Sequence, residues 1–183
     1  IKANFSGVDV FLPPDVFLQA SSKGEEEIVA FIMKAIVSSE YVADLYSGCG
    51  TYSFAIRNKI KKVTSFEGDR KMFQLMQQAI AREKLENSLA VQQHNLYKKP
   101  LKSTLLDKFD TIIINPPRNG ALPQIKELAK SKPKKIIMIS CNPATFARDL
   151  KPLLDAGYRI TDALAIDQFY WSKHLEVAAI LEV

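Results

Sequence analysis

Ile136-Ile137-Met138-Ile139-Ser140-Cys141-Asn142-Pro143-Ala144-Thr145 is an apolar run of strand length that ends on a thiol, turns at Asn-Pro and opens into a helix-like stretch. A near-continuous apolar run of this length reads as a strand covered on both faces, as in parallel sheets. The pattern recurs outward in both directions, and the other strand-like runs are Tyr41–Leu45, Lys62–Glu67, Ala90–Gln93, Thr111–Asn115, Tyr158–Ile166 and Leu175–Glu182. Helical periodicity lies between most of them, over Thr51–Asn58, Arg70–Glu83, Leu122–Lys130 and Ala144–Leu154, with a further helix near Lys23–Val37. Alternating strands and helices predict an α/β fold with a seven-stranded, mostly parallel, doubly wound sheet. Only Asp167–Lys173 joins the last two strands. That link is too short for a parallel crossover, so the last strand is expected to be antiparallel. Residues 1–18 read as an extended or hairpin-like segment, and Pro13-Pro14 excludes a helix there.

With 183 residues, 47% of them hydrophobic and 25% charged, the chain suits one globular domain spanning 1–183. No apolar run reaches the ~18 residues of a membrane span, and no signal-peptide pattern opens the chain. Two cysteines, each beside a candidate functional loop, suit a reduced, cytoplasmic protein rather than a disulfide scaffold. The chain opens at Ile1 rather than Met and is expected to be a piece of a longer protein. The net charge of +5 leans towards nucleic acid. Lysines bunch at Lys98, Lys99 and Lys102, and again at Lys130, Lys132, Lys134 and Lys135. These bunches read either as solvated helix ends or as an RNA-facing patch.

Asp44-Leu45-Tyr46-Ser47-Gly48-Cys49-Gly50-Thr51 follows the first strand of the sheet and opens a helix. Gly48 and Gly50 let the backbone turn tightly and approach a ligand. The pattern is not that of a pyrophosphate cradle. Glu67 ends the next strand, 19 residues after Gly48, where a carboxylate accepts from ribose hydroxyls. The pair favours an adenosine-bearing ligand without a phosphate requirement, such as S-adenosylmethionine. An ordinary glycine turn beside a solvated acid is the alternative. Cys49 reads as a small residue packed beside the ligand.

Asn115-Pro116-Pro117-Arg118 ends another strand. Two prolines stiffen this loop, and an amide at Asn115 can donate and accept in one plane, as a flat polar ring requires. Arg118 suits a phosphate or a base carbonyl. Alone, this segment also fits an amino-group methyltransferase, but that chemistry needs no thiol, whereas carbon 5 of a pyrimidine does. Cys141 adding to carbon 6 of uracil creates an enolate whose carbon 5 can attack a sulfonium methyl group. A base then removes the carbon-5 proton and the thiolate leaves. A helix starting near Ala144 would favour the thiolate through its dipole. The alternative for Cys141 is a buried, inert thiol. His174 and Glu176 lie two apart at the start of the last strand, share one face, and are the candidates for the base.

These segments resemble the S-adenosylmethionine-dependent RNA uracil-5-methyltransferases, which make 5-methyluridine in transfer and ribosomal RNA. Ser140–Asp149 is similar to the family's nucleophile motif, His174-Leu175-Glu176 to its closing motif, and Phe17-Leu18-Gln19-Ala20 to its entry segment. Asp44–Thr51, Phe66-Glu67-Gly68, Asn95 and Asn115–Arg118 fall on the remaining motifs in order. The resemblance covers about residues 13–183 and implies the seven-stranded, Rossmann-like methyltransferase sheet. It makes Cys141 the nucleophile and Glu176 the general base. Gln19, Tyr46, Thr51, Glu67, Asn95 and Asn115 line the cofactor and reaction site, and Gly48 and Gly50 admit the methionine moiety. It implies S-adenosylmethionine as cofactor and an RNA substrate, ribosomal RNA ahead of transfer RNA. Some family members carry an iron–sulfur cluster on four cysteines, which the two cysteines here cannot hold, so no metal is expected. RNA-binding domains are expected elsewhere in the full-length protein, and no membrane association is expected. Asn115 departs from the family, which usually has Asp there. That departure keeps a non-catalytic cofactor- or RNA-binding protein open as an alternative, beside the amino-group enzyme.

Overall fold

The computed structural model describes residues 2–13, 22–167 and 175–183. The whole entry segment Phe17–Ala20 with Gln19, and His174, lie outside the described residues, as does most of the link between the last two strands. The chain opens with a hairpin of β1 (Lys2–Phe5) and β2 (Val8–Phe11), joined by Ser6 and Gly7. Both turn residues have positive φ, 50° and 86°, which gives the two-residue turn that matches the twist of a hairpin. Phe5, Val8 and Val10 turn inward and join the core.

Seven further strands form one sheet: β3 (Tyr41–Leu45), β4 (Lys62–Glu67), β5 (Leu89–Gln93), β6 (Thr111–Ile114), β7 (Lys135–Ser140), β8 (Arg159–Ile166) and β9 (Glu176–Glu182). Their order is β5-β4-β3-β6-β7-β9-β8. All neighbours are parallel except β9, which runs antiparallel to both β7 and β8. The helices are α1 (Ser22–Ala35), α2 (Thr51–Ile56), α3 (Arg70–Arg82), α4 (Ser103–Leu106), α5 (Leu122–Ser131) and α6 (Pro143–Asp155).

Two cores, one on each face, explain why the central strands read as unbroken apolar runs. Ile113 of β6 and Ile137 and Ile139 of β7 pack with α1, α2, α3 and the hairpin. Ile112 and Ile114 of β6 and Ile136 and Met138 of β7 pack with α4, α5 and α6. Ile112 to Ile114 and Ile136 to Ile139 alternate between two buried faces, so an apolar residue is favoured at each of these positions. The exception in β3 is Asp44, which is fully buried. Its Oδ2 accepts from the Ser53 hydroxyl at 2.6 Å, and Ser53 in turn meets Ser65 Oγ at 2.7 Å. This polar contact ties α2 to β3 and β4.

Burial pushes the Asp44 carboxyl up to about 7, opposed by the Ser53 hydrogen bond and reinforced by the nearby Glu67 charge. An unfolded Asp titrates near 3.8, so the folded state binds the extra proton between the two values. Asp44's contribution to stability is therefore complete below pH 3.8 and lost as pH rises through about 7. Denaturant titrations should show stability falling over that window, and Asp44→Asn should flatten the slope by up to one proton, about 1.4 kcal/mol per pH unit.

Candidate active site

Every described residue assigned from the sequence to catalysis or cofactor binding stands along one edge of the sheet. In spatial order, Asn95 follows β5, Glu67 ends β4, Tyr46 to Thr51 follow β3, Asn115 follows β6, Cys141 follows β7, and Glu176 opens β9. The strand order reverses between β3 and β6, and the crevice at such a switch point is where open α/β sheets hold ligands.

The loop after β3 folds back on β4, because Tyr46 N and Ser47 N both donate to Phe66 O at 3.0 and 3.2 Å. Tyr46 takes the left-handed conformation at φ 61°, rare for an aromatic residue, and its ring meets Tyr97 edge-on at 5.4 Å. Gly50, at φ 94°, has no room for a side chain, since a Cβ would lie 2.7 Å from the Phe54 ring and 3.0 Å from Met76. Gly48, at φ 56°, is different: a Cβ there would meet nothing within 4 Å among the described residues. Its backbone needs glycine while the space beside it stays open. Thr51 begins α2. Cys49 is buried, and burial pushes its thiol up to about 11, which suits an inert packing role.

Glu67 is held by the backbone at both oxygens. Gly48 N donates to Oε2 and Asp69 N to Oε1, each at 2.7 Å. The carboxylate plane is therefore fixed, and each oxygen keeps a lone pair for another donor. Asn95 Oδ1 accepts from Tyr97 N and Lys98 N at 3.1 and 3.0 Å, so this side chain's acceptor closes a turn. Asn115 is anchored through its N–H to Leu45 O at 3.3 Å, and its amide nitrogen lies 3.5 Å from the Tyr52 hydroxyl.

Cys141 and Glu176 come from neighbouring strands. The β7–β9 ladder ends at Ser140 opposite Val177, and one further step in that register sets Cys141 across from Glu176. Cys141 is half-buried, just past the end of β7. Glu176 is only 3% exposed, and burial pushes its carboxyl up to about 7. A desolvated carboxyl near neutrality can take up or release a proton beside an accessible thiol.

The sequence reading passed over Asp44 and Asp149, both fully buried. Each left a signal: Asp44 interrupts an apolar strand, and Asp149 lies on the same helical stripe as Leu153. The two lysine bunches separate. Lys98, Lys99 and Lys102 are exposed on the loop after β5, on the same edge as exposed Arg118. Lys130 to Lys135 sit at the opposite edge, where Lys130 pairs with Glu127 and Lys135 with Glu182.

Residues 12–183 match the family described as tRNA (Uracil-5-)-methyltransferase. An uncharacterized RNA methyltransferase of Rhizobium meliloti is 38% identical over 98% of this chain and 43% of its own length. The 23S rRNA (uracil(1939)-C(5))-methyltransferase RlmD of Vibrio vulnificus is 33% identical over 96% of this chain and 41% of its own. The crystal structure of Pyrococcus abyssi tRNA (uracil-54, C5)-methyltransferase with S-adenosyl-L-homocysteine superimposes at a TM-score of 0.83. It is 30% identical and covers 99% of this chain and 44% of that one. The chain thus spans less than half the length of these three relatives. With the sheet, the glycine loop and the paired thiol and carboxyl all in these positions, the chain belongs to the tRNA (uracil-5-)-methyltransferase family.

Proposed function

We propose that residues 1–183 form the catalytic domain of an enzyme that methylates carbon 5 of a uridine in RNA, through a covalent bond between Cys141 and carbon 6, with S-adenosylmethionine as methyl donor. The observation that carries this reading is the pairing of Cys141 with a buried Glu176 on the edge that also holds the glycine loop and Glu67.

The residues present fit the cofactor. Gly48 borders open space, and Glu67 offers fixed acceptors for two ribose hydroxyls. Asp44 Oδ1, at the entrance to the loop, is buried without a hydrogen-bond partner among the described residues. An acceptor of that kind is a gap that a donor group of a ligand would fill. Bound there, S-adenosylmethionine supplies an electrophilic methyl group. Tyr46, Thr51, Asn95 and Asn115 stand on the same edge of the sheet and, with Gln19, are assigned to the cofactor by family resemblance.

Carbon 5 of uracil is a weak nucleophile. Cys141 Sγ forms a bond to carbon 6, the ring's double-bond electrons move towards the carbonyl at carbon 4, and carbon 5 becomes electron-rich. Once carbon 5 carries both a methyl group and its original hydrogen, Glu176 takes that hydrogen as a proton. The electrons left behind re-form the ring double bond, and the sulfur–carbon 6 bond breaks to release Cys141 as thiolate. Asn115, an amide in place of the family's usual Asp, can donate to and accept from the edge of the ring. The target base must be unstacked to reach the thiol. Lys98, Lys99 and Arg118 suit the flanking phosphates. The Vibrio relative supports ribosomal RNA as substrate and the Pyrococcus neighbour supports transfer RNA. Assays on both RNAs separate the two, and the further RNA-binding domains are expected outside this chain. Among the described residues no helix is long and apolar enough to cross a membrane.

RNA containing 5-fluorouridine cannot lose its carbon-5 substituent, so incubation with S-adenosylmethionine should trap an adduct that peptide mass mapping places on Cys141. Cys141→Ala should form no adduct and no product while binding the cofactor as before. Methyl groups appearing on nitrogen with Cys141→Ala still active would return the amino-group chemistry. Glu176→Gln should accumulate the adduct even on ordinary uridine. Because the base must be deprotonated, adduct breakdown by the natural protein should accelerate as pH rises through about 7 and then level off. That pH dependence should vanish in Glu176→Gln.

A further inference from the structure

We propose that Asn142 and Thr145, at the amino end of α6, are positioning residues that hold the Asn115–Arg118 loop in fixed relation to Cys141; the inference rests on the function proposed above. Both side chains converge on one backbone atom. Arg118 O accepts from Asn142 Nδ2 at 3.1 Å and lies 3.1 Å from Thr145 Oγ1, whose single hydroxyl hydrogen is shared between Arg118 O and Asn142 O, also at 3.1 Å.

Asn142 serves two partners at once. Its Oδ1 caps α6 by accepting from Ala144 N at 3.1 Å and Thr145 N at 3.5 Å, while its amide nitrogen donates to the loop. Asp, Ser and Thr cap helices as well as Asn does, but among the good N-cap side chains only Asn supplies an N–H donor. The choice of Asn here is therefore accounted for by the loop, not by the helix.

The next three residues of the loop are gripped as well. Arg148 Nη2 donates to Asn119 O at 2.8 Å, Tyr97 Oη donates to Gly120 O at 3.1 Å, and Ala121 N donates to Asp149 Oδ2 at 2.5 Å. Asp149 is fully buried and pairs with Arg148 at 2.7 Å. Gly120, at φ 74°, is where the loop passes closest, since a Cβ there would strike both Arg148 and Asp149. At the other end the loop is pinned to β3 by the Asn115 N–H. Asn115 and Cys141 are thus the two ends of a short bridge, which runs through Pro116 and Pro117 to Arg118 and across to Asn142.

Loosening the bridge shifts the group that faces the base relative to the sulfur that attacks it. A displacement of that kind costs rate rather than binding. Thr145→Val removes the hydroxyl donor at nearly constant shape, Thr145→Ser keeps the donor, and Asn142→Asp keeps the cap but loses the N–H. The full-length protein and these variants should be compared for thermal midpoint, S-adenosylmethionine affinity by calorimetry, KM for RNA, and single-turnover adduct formation on 5-fluorouridine RNA.

Thr145→Val and Asn142→Asp should slow adduct formation about 10- to 100-fold with cofactor affinity and KM within about threefold of the natural protein. Both should keep their thermal midpoints, and Thr145→Ser should restore the rate. The inference is overturned if Thr145→Val reacts at the natural rate, if Thr145→Ser is as slow as Thr145→Val, or if the loss follows thermal midpoint or cofactor affinity. A natural protein that forms no adduct removes the functional reading and this inference with it, an outcome distinct from variants that match an active natural protein.

Discussion

The antiparallel entry of β9 beside β7 is the constraint on which the site depends. In a wholly parallel sheet, the carboxyl edge is reached only by loops that leave the strands. A reversed strand arrives at that edge with its first residue, and here that residue is Glu176. Glu176 pairs with Ile166 of β8, sits one residue beyond the last β7–β9 pair, and is buried. Cys141, one step past the end of β7, has left the ladder and keeps access to solvent. The register therefore brings a buried carboxyl and an open thiol to the ends of neighbouring strands, and burial moves the carboxyl to neutrality.

The same edge holds two other carboxylates in contrasting environments. Asp44 is enclosed, served by one hydroxyl, and pushed towards its neutral form. Glu67 is partly exposed and anchored by two backbone N–H groups. Environment, not residue type, separates a carboxyl held towards its neutral form from a carboxylate whose oxygens are fixed by backbone donors. The glycine loop lies between them, and Gly48 is where the anchoring of Glu67 and the open space meet.

Most of the sheet was legible because its strands are buried on both faces. Runs such as Ile112–Ile114 and Ile136–Ile139 have no polar interruption, and turn residues bound them. The shortness of the last link predicted the antiparallel pair. α4 was not read, since four residues complete barely one turn and carry no periodicity. At the site, Cys141 and Glu67 stood out by their position at strand ends. The burial of Glu176 did not, because it depends on β8 closing over β9. Asn95 was read as a lining residue, while its acceptor closes a local turn. The lysines cluster in sequence but divide between opposite edges, which only the topology decides.

The role of Asp149 was not legible from its helical stripe alone, because its partner, the Ala121 N–H, lies at the end of the loop after β6. Pro116 and Pro117 fix φ and carry no N–H, and within the loop after β6 Gly120 N donates back to Pro117 O at 2.8 Å. Its carbonyls at Arg118, Asn119 and Gly120 are met by side chains from elsewhere. The nearest side chains belong to α6, whose amino end is fixed by the strand that delivers Cys141, and to Tyr97, which leans on Tyr46 of the glycine loop. The loop after β6 thus draws hydrogen bonds from α6 and from Tyr97 beside the glycine loop, as well as from its own backbone. Three segments far apart in sequence become one rigid unit as a result.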